Sequence, residues 1–349
     1  MKKLMISILV LLSIYNYSVK KEDRNIPVVV MISEIENNVI DYNEKDLERI
    51  IFKEVADFYK STSKEKINLY NPFGNGLREV NISEEYNYDN RKTFGLKTII
   101  QGHKTIDFSK FDTNNNNIID RDELIILHIL ETKDTYEKPI ASTIKTEDFF
   151  VENLKIERFI QLGIQEVFSN RESLLTPSTV AHEIGHHFGL PDLYDTDYSS
   201  KGLGPMSLMS EIHSDQPINF DPWSKLYLGV EKPLKFKKEG IHHIKKEKIY
   251  LVETNKNWIY YLIEQRSFQG YDESLSQVMS SDGIFIYKIN EKVINENINL
   301  NHVNRDEKNM GVEFLGKEVM DQENGIYLKA IDSSHLLIEK QKNNWQSLK

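Results

Sequence analysis

Residues 26–32 read IPVVVMI, a β-branched and continuously apolar run that predicts a buried strand. Leu47, Ile50, Ile51, Val55 and Phe58 then recur at helical spacing with charges between them, so an amphipathic helix is expected to turn one stripe to a core. The same reading places strands at 66–70 and 124–130 and a helix over 177–188. From about residue 231 the pattern changes to short β-rich runs, among them 249–253, 258–264 and 283–289. The expected fold is therefore α+β, with a main domain over 26–230 and a β-rich C-terminal part over 231–349 that continues it. No repeat at a fixed period is visible, and the asparagine run 114–117 is too short to be a low-complexity segment.

Ahead of the first strand, Lys2 and Lys3 precede an apolar stretch from Leu4 to Ile14, and charge returns at Lys20, Lys21, Glu22 and Asp23. This is the pattern of a secretory signal peptide, assigned to residues 1–19, although no A-x-A-like site fixes the cleavage point. The stretch is shorter than the about 20 apolar residues that span a bilayer, and no other stretch comes close. A secreted, extracellular protein without a stable membrane anchor is expected.

Lysine and arginine number 44 against 54 acidic residues, and the net charge of -10 argues against nucleic acid or an anionic membrane as the main partner. A monomer acting on a protein or peptide substrate is expected. The chain has no cysteine, which excludes disulfides, thiolate metal ligands and a cysteine nucleophile. Its stability must come from elsewhere, and an ion that binds only the folded state is one source.

The chemistry concentrates in TPSTVAHEIGHHFGLPD, residues 176–192. Thr176 can cap a helix and Pro177 suits its first turn. At 100° per residue His182 and His186 share one face, while Val180, Ile184 and Phe188 lie roughly opposite, so one side can bind metal and the other can pack. Two imidazoles four residues apart reach one tetrahedral Zn²⁺, and Glu183 beside them can take a proton from metal-bound water. Gly189 can end the helix in a left-handed conformation, after which Leu190 and Pro191 turn the chain and let Asp192 face the histidines. Three protein ligands would leave the fourth position for water, the catalytic arrangement. Asp195 and Asp197 are the nearby alternatives to Asp192, and His187, pointing off the metal face, is expected to be a core or supporting histidine.

The stretch HEIGHHFGLPDLYD, residues 182–195, resembles the extended zinc motif of the immune inhibitor A-like secreted bacterial metallopeptidases, metzincin-like zincins with Asp in place of the third His. Four further stretches carry the resemblance: SLMS at 207–210, similar to the family's Met-turn; DPWSKLYLG at 221–229, similar to the helix that follows; and YYLIEQRSFQGYD at 260–272 and GIFIYKIN at 283–290, similar to its later strands. The resemblance implies a zincin-like catalytic domain with a mixed sheet, a backing helix and an active-site helix, and Met209 as a hydrophobic floor under the zinc. It also implies an N-terminal pro-segment, whereas here only a few residues separate the signal from the first strand. Activity without further processing is therefore expected. Some metzincins place a transition-state Tyr two residues after the methionine; that position is Glu211 here.

Asp112, Asn114, Asn116, Ile118, Asp120 and Glu123 occupy positions 1, 3, 5, 7, 9 and 12 of a twelve-residue loop, the spacing that wraps Ca²⁺. Asn117 stands where glycine is usual, and asparagine tolerates left-handed backbone. An asparagine-rich turn without metal is the plainer reading of the same residues.

Taken together these features predict a zinc-dependent endopeptidase with Glu183 as general base and, in addition, a calcium site. The competing reading is a secreted zinc- and calcium-binding protein without turnover, a binding or adhesion module. The intact Glu183 argues against it.

Overall fold

The structure, a computed structural model, describes residues 23–33, 42–80, 82, 86–135, 140–168, 171–195, 202–211, 214–299 and 311–340. The expected signal peptide lies outside the described residues. The described chain is mixed α+β with several sheets, and it divides into two compact units. One comprises residues 22–189 with 215–217, the other 190–214 with 218–349.

In the first unit the strands in chain order are β1 (Arg24–Ser33), β2 (Ile67–Tyr70), β3 (Arg78–Glu79), β4 (Ile118–Ile119), β5 (Ile125–Thr135), β6 (Ser142–Lys145), β7 (Phe150–Val151), β8 (Leu154–Ile156), β9 (Arg158–Phe168) and β10 (Arg171–Leu174). The main sheet runs β10-β9-β5-β1-β2, with β3 also on β1 and β6 also on β9. Strands β1, β2, β3, β5 and β9 pair in parallel, which explains the uninterrupted apolar run of β1 and the apolar stretch 125–130 of β5, broken only by the buried His128: parallel strands are covered on both faces. Strands β6 and β10 are antiparallel to β9. A separate small sheet holds β4, β8 and β7.

Among the described residues this unit carries three longer helices, besides short 3-10 turns at Tyr88–Asn90 and Phe108–Phe111. The first, α1, covers 44–62 and is wound as a π-helix over Ile50–Val55. It buries Leu47, Ile50, Ile51, Val55 and Phe58, the expected stripe, together with Tyr59. The second, α2 (Arg91–His103), packs Gly102 so closely that an added Cβ would sit 2.7 Å from Met31 Sδ, and Gly95 so closely that one would sit 2.5 Å from the Phe159 ring. The third, α3 (Pro177–His187), carries the HExxH residues.

The second unit contains β11 (Leu234–Lys235), β12 (Gly240–His243), β13 (Ile249–Glu253), β14 (Ile259–Arg266), β15 (Gly283–Asn290), β16 (Val312–Gly316), β17 (Glu318–Asp321), β18 (Ile326–Ala330) and β19 (His335–Lys340). They form a five-stranded sheet, β11-β13-β14-β15-β16, and a four-stranded sheet, β12-β19-β18-β17. Alternate residues of the two sheets meet in one core: Val252, Tyr261, Ile263, Ile284 and Ile286 from the first, Ile326, Leu328, Leu336 and Ile338 from the second. Short helices α4 (Pro222–Tyr227) and α5 (Glu291–Asn299) complete it. The buried Glu291 at the start of α5 accepts from the indole of Trp223 at 3.2 Å and from the Tyr260 hydroxyl.

Candidate metal and active site

Helix α3 begins as its sequence dictates. Thr176 has extended backbone and its Oγ1 accepts from Thr179 N at 3.3 Å, with Pro177 in the first turn. The cap is itself held from β9, where buried Glu166 accepts from Thr176 N at 2.9 Å. Along the helix, Tyr59 of α1 donates its hydroxyl to Ala181 O at 2.7 Å and sets its ring edge-on to Phe188 at 5.6 Å. Gly189, at φ +94°, ends the helix and donates to His186 O at 2.8 Å.

His182 and His186 lie side by side, ring centroids 4.6 Å apart and nearly perpendicular. His182 is buried, and His186 and Asp192 are partly buried. One ligand atom from each of His182, His186 and Asp192 lies within 4.8 Å of the others, and among the described residues this is the set of three such side chains that could grip one ion. Asp195 is outside the set, and Asp197 lies outside the described residues. Two imidazoles and a carboxylate are a donor set that suits Zn²⁺.

Glu183 is buried next to this set, and its carboxylate meets a residue that no local sequence pattern points to. Thr143 Oγ1 on β6 lies 2.8 Å from Glu183 O and 3.1 Å from Glu183 Oε2. His187 is fully buried and turned away: its Nε2 contacts Arg121 O at 3.1 Å, and burial pushes its pKa down to about 3. The carbonyls that end the helix are also covered, His187 O by Arg158 Nη1 and Phe188 O by Arg121 Nη1, both at 2.8 Å.

Met209 is fully buried, and its carbonyl accepts from Leu193 N at 2.7 Å. Ser207 and Arg266 hold the same turn. Ser207 Oγ accepts from Met209 N at 3.2 Å and donates to Asp221 Oδ2 at 2.8 Å, while Arg266 Nη1 donates to Met206 O at 2.6 Å. The guanidinium of Arg266 is buried and paired to both oxygens of Asp272 at 2.6 Å. Glu211 is exposed.

In the 112–123 loop the oxygens turn to the backbone. Asp112 accepts from Asn116 N and Asn117 N at 3.1 and 2.9 Å, Asn116 Oδ1 from Ile118 N at 2.8 Å, and Glu123 Oε1 from Thr113 N and Asn114 N at 2.8 and 3.2 Å. Asn114 Oδ1 also accepts from Asn116 N, at 3.0 Å, and Asp120 Oδ1 from Asp122 N, at 2.8 Å. Asn115 and Asn117 take the left-handed backbone, at φ +56° and +60°. The carboxylates of Asp112, Asp120 and Glu123 do not converge as the His182, His186 and Asp192 atoms do.

The segment that begins at the Thr176 cap and runs through the metal set to Val230 has a family match. Residues 176–230 match the immune inhibitor A peptidase M6 catalytic domain. The matched segment contains α3, Asp192, the Met209 turn and α4. Among solved structures, metalloproteinase-II from Bacteroides fragilis is similar at a TM-score of 0.31 and 12% identity, over 60% of this chain and 53% of that one. The chain thus spans about half the length of that structure. A catalytically inactive OgpA from Akkermansia muciniphila, in complex with an O-glycopeptide, is similar at a TM-score of 0.26 and 11% identity, over 78% of this chain and 85% of that one. No curated protein matches.

Proposed function

We propose that this chain is a secreted zinc-dependent endopeptidase in which His182, His186 and Asp192 hold the metal and Glu183 is the general base. The observation that carries the reading is the convergence of those three ligand atoms within 4.8 Å, on a stretch that matches the M6 catalytic domain. When bound, zinc would polarise the scissile carbonyl and acidify a water beside it. Glu183 takes that water's proton as the oxygen attacks, then returns it to the leaving amine, so the carboxylate ends each cycle as it began.

Extracellular location rests on the signal pattern of residues 1–19. Among the described residues no helix is long and apolar enough to cross a membrane. In the same reading Ca²⁺ binds the 112–123 loop, a proposal supported by the oxygen spacing and by the left-handed Asn115 and Asn117.

The test is zinc content and cleavage of a mixed peptide library by purified protein, its Asp192→Ala variant and its Asp195→Ala variant. Wild type is expected to hold one zinc and to lose cleavage to a chelator, Asp192→Ala to lose both metal and activity, and Asp195→Ala to keep the metal. A fully zinc-loaded Asp192→Ala protein beside an empty Asp195→Ala protein would overturn the ligand assignment.

A further inference from the structure

We propose that Thr143 is a positioning residue for Glu183: its hydroxyl fixes the orientation of the carboxylate that serves as base. The inference rests on the reading of Glu183 as that base. Three observations carry it. Thr143 Oγ1 is 3.1 Å from Glu183 Oε2 and 2.8 Å from Glu183 O, so one hydroxyl bridges the two ends of the same residue. Strand β6 is laddered to β9 from Ser142↔Gln161 to Lys145↔Arg158, which gives Thr143 a fixed backbone. A β-branched side chain then has few χ1 states, so the oxygen is aimed before any substrate arrives.

The hydroxyl carries a single proton and faces two acceptors. While Glu183 is ionised, that proton is best placed on Oε2, because a hydrogen bond to a charged oxygen is the stronger one. A glutamate without this bond keeps its three side-chain torsions, and each productive approach must then select one rotamer among several.

A purely architectural Thr143 would matter only through its bond to Glu183 O at the helix surface. The experiment separates the two roles by comparing wild type, Thr143→Ser and Thr143→Val as zinc-loaded full-length proteins. Measured are kcat, KM, zinc affinity by chelator competition, melting temperature and the Glu183 conformation in crystals. Thr143→Val is expected to lower kcat about tenfold with KM and zinc affinity unchanged, and to release the Glu183 carboxylate from its single orientation. Thr143→Ser should restore most of kcat. In a Glu183→Gln background, Thr143→Val should change nothing further. The proposal is overturned if Glu183 keeps one orientation in Thr143→Val, if kcat stays at the wild-type level, or if the loss follows zinc affinity or melting temperature. A wild type that holds zinc but cleaves nothing would instead defeat the catalytic reading, and the crystallographic comparison would still decide whether Thr143 orients Glu183.

Discussion

The backbone N–H of Leu193 donates to the carbonyl of Met209 at 2.7 Å. Leu193 directly follows Asp192, so this bond ties a buried methionine turn to the residue next to a proposed metal ligand. The turn is in turn fixed by Ser207, Asp221 and Arg266. The loop that presents Asp192 is therefore held by a hydrogen-bonded frame in the same unit.

Asp221 gathers three side-chain bonds within that frame. Its carboxylate accepts from Ser207 Oγ at 2.8 Å, Ser224 Oγ at 2.5 Å and Ser224 N at 3.0 Å, the last as the cap of α4. Asp221→Ala should cost about 2–4 kcal/mol, from the lost cap and the stranded buried hydroxyls, and should weaken zinc binding through the turn. Urea unfolding with a parallel zinc titration measures both. A loss below about 0.5 kcal/mol, the level of an ordinary surface change, would show that the frame is not needed.

What could be read from the sequence, and what could not, has a physical basis in particular residues. The run 26–32 and the stripe from Leu47 to Phe58 were legible because local period alone marks a buried strand and an amphipathic helix. The π-helical winding at Ile50–Val55 leaves no local sign and was missed. Helix α2 was missed as well, since Gly95 and Gly102 lower its helix propensity. Those glycines serve close approach to Phe159 and Met31, a tertiary requirement invisible to a periodicity argument. The HExxH spacing could single out His182, Glu183 and His186 as candidates because all three lie on one helix, α3. Thr143 and Arg266 act across 40 and 60 residues of chain, on Glu183 and on Met206, and no local pattern could point to either.

Acid should weaken the fold through His128. This fully buried imidazole lies between Ser33 Oγ at 2.9 Å and Gln161 Nε2 at 3.2 Å, and it stacks on Phe94. Burial pushes its pKa from 6.5 down to about 3. Above pH 6.5 the ring is neutral folded or unfolded, and its contribution is fully present. As pH falls from 6.5 toward 3 only the unfolded chain takes the proton, so stability drops by about 1.4 kcal/mol per pH unit on this account. Comparing unfolding free energies of wild type and His128→Gln across that range should show a shallower slope in the variant. Parallel slopes would remove His128 from the acid response.

Calcium should act on the loop ahead of β5. With no disulfide in the chain, added Ca²⁺ is expected to raise the melting temperature and to protect residues 112–123 from proteolysis. Asp112→Ala should remove both effects. The same melting temperature with calcium and with a calcium-selective chelator would mean that the loop is closed by its own backbone bonds alone.

The central claim is that Glu183 performs the chemistry beside a metal it does not bind. Glu183→Gln keeps the shape of the side chain and removes the base. Zinc per chain and the rate of peptide cleavage, measured on the same preparations of wild type and Glu183→Gln, test it directly. The account predicts equal zinc in the two proteins and a loss of cleavage of at least about 100-fold in the variant, the lower end of what a general base supplies. Cleavage by zinc-loaded Glu183→Gln at close to the wild-type rate would contradict it.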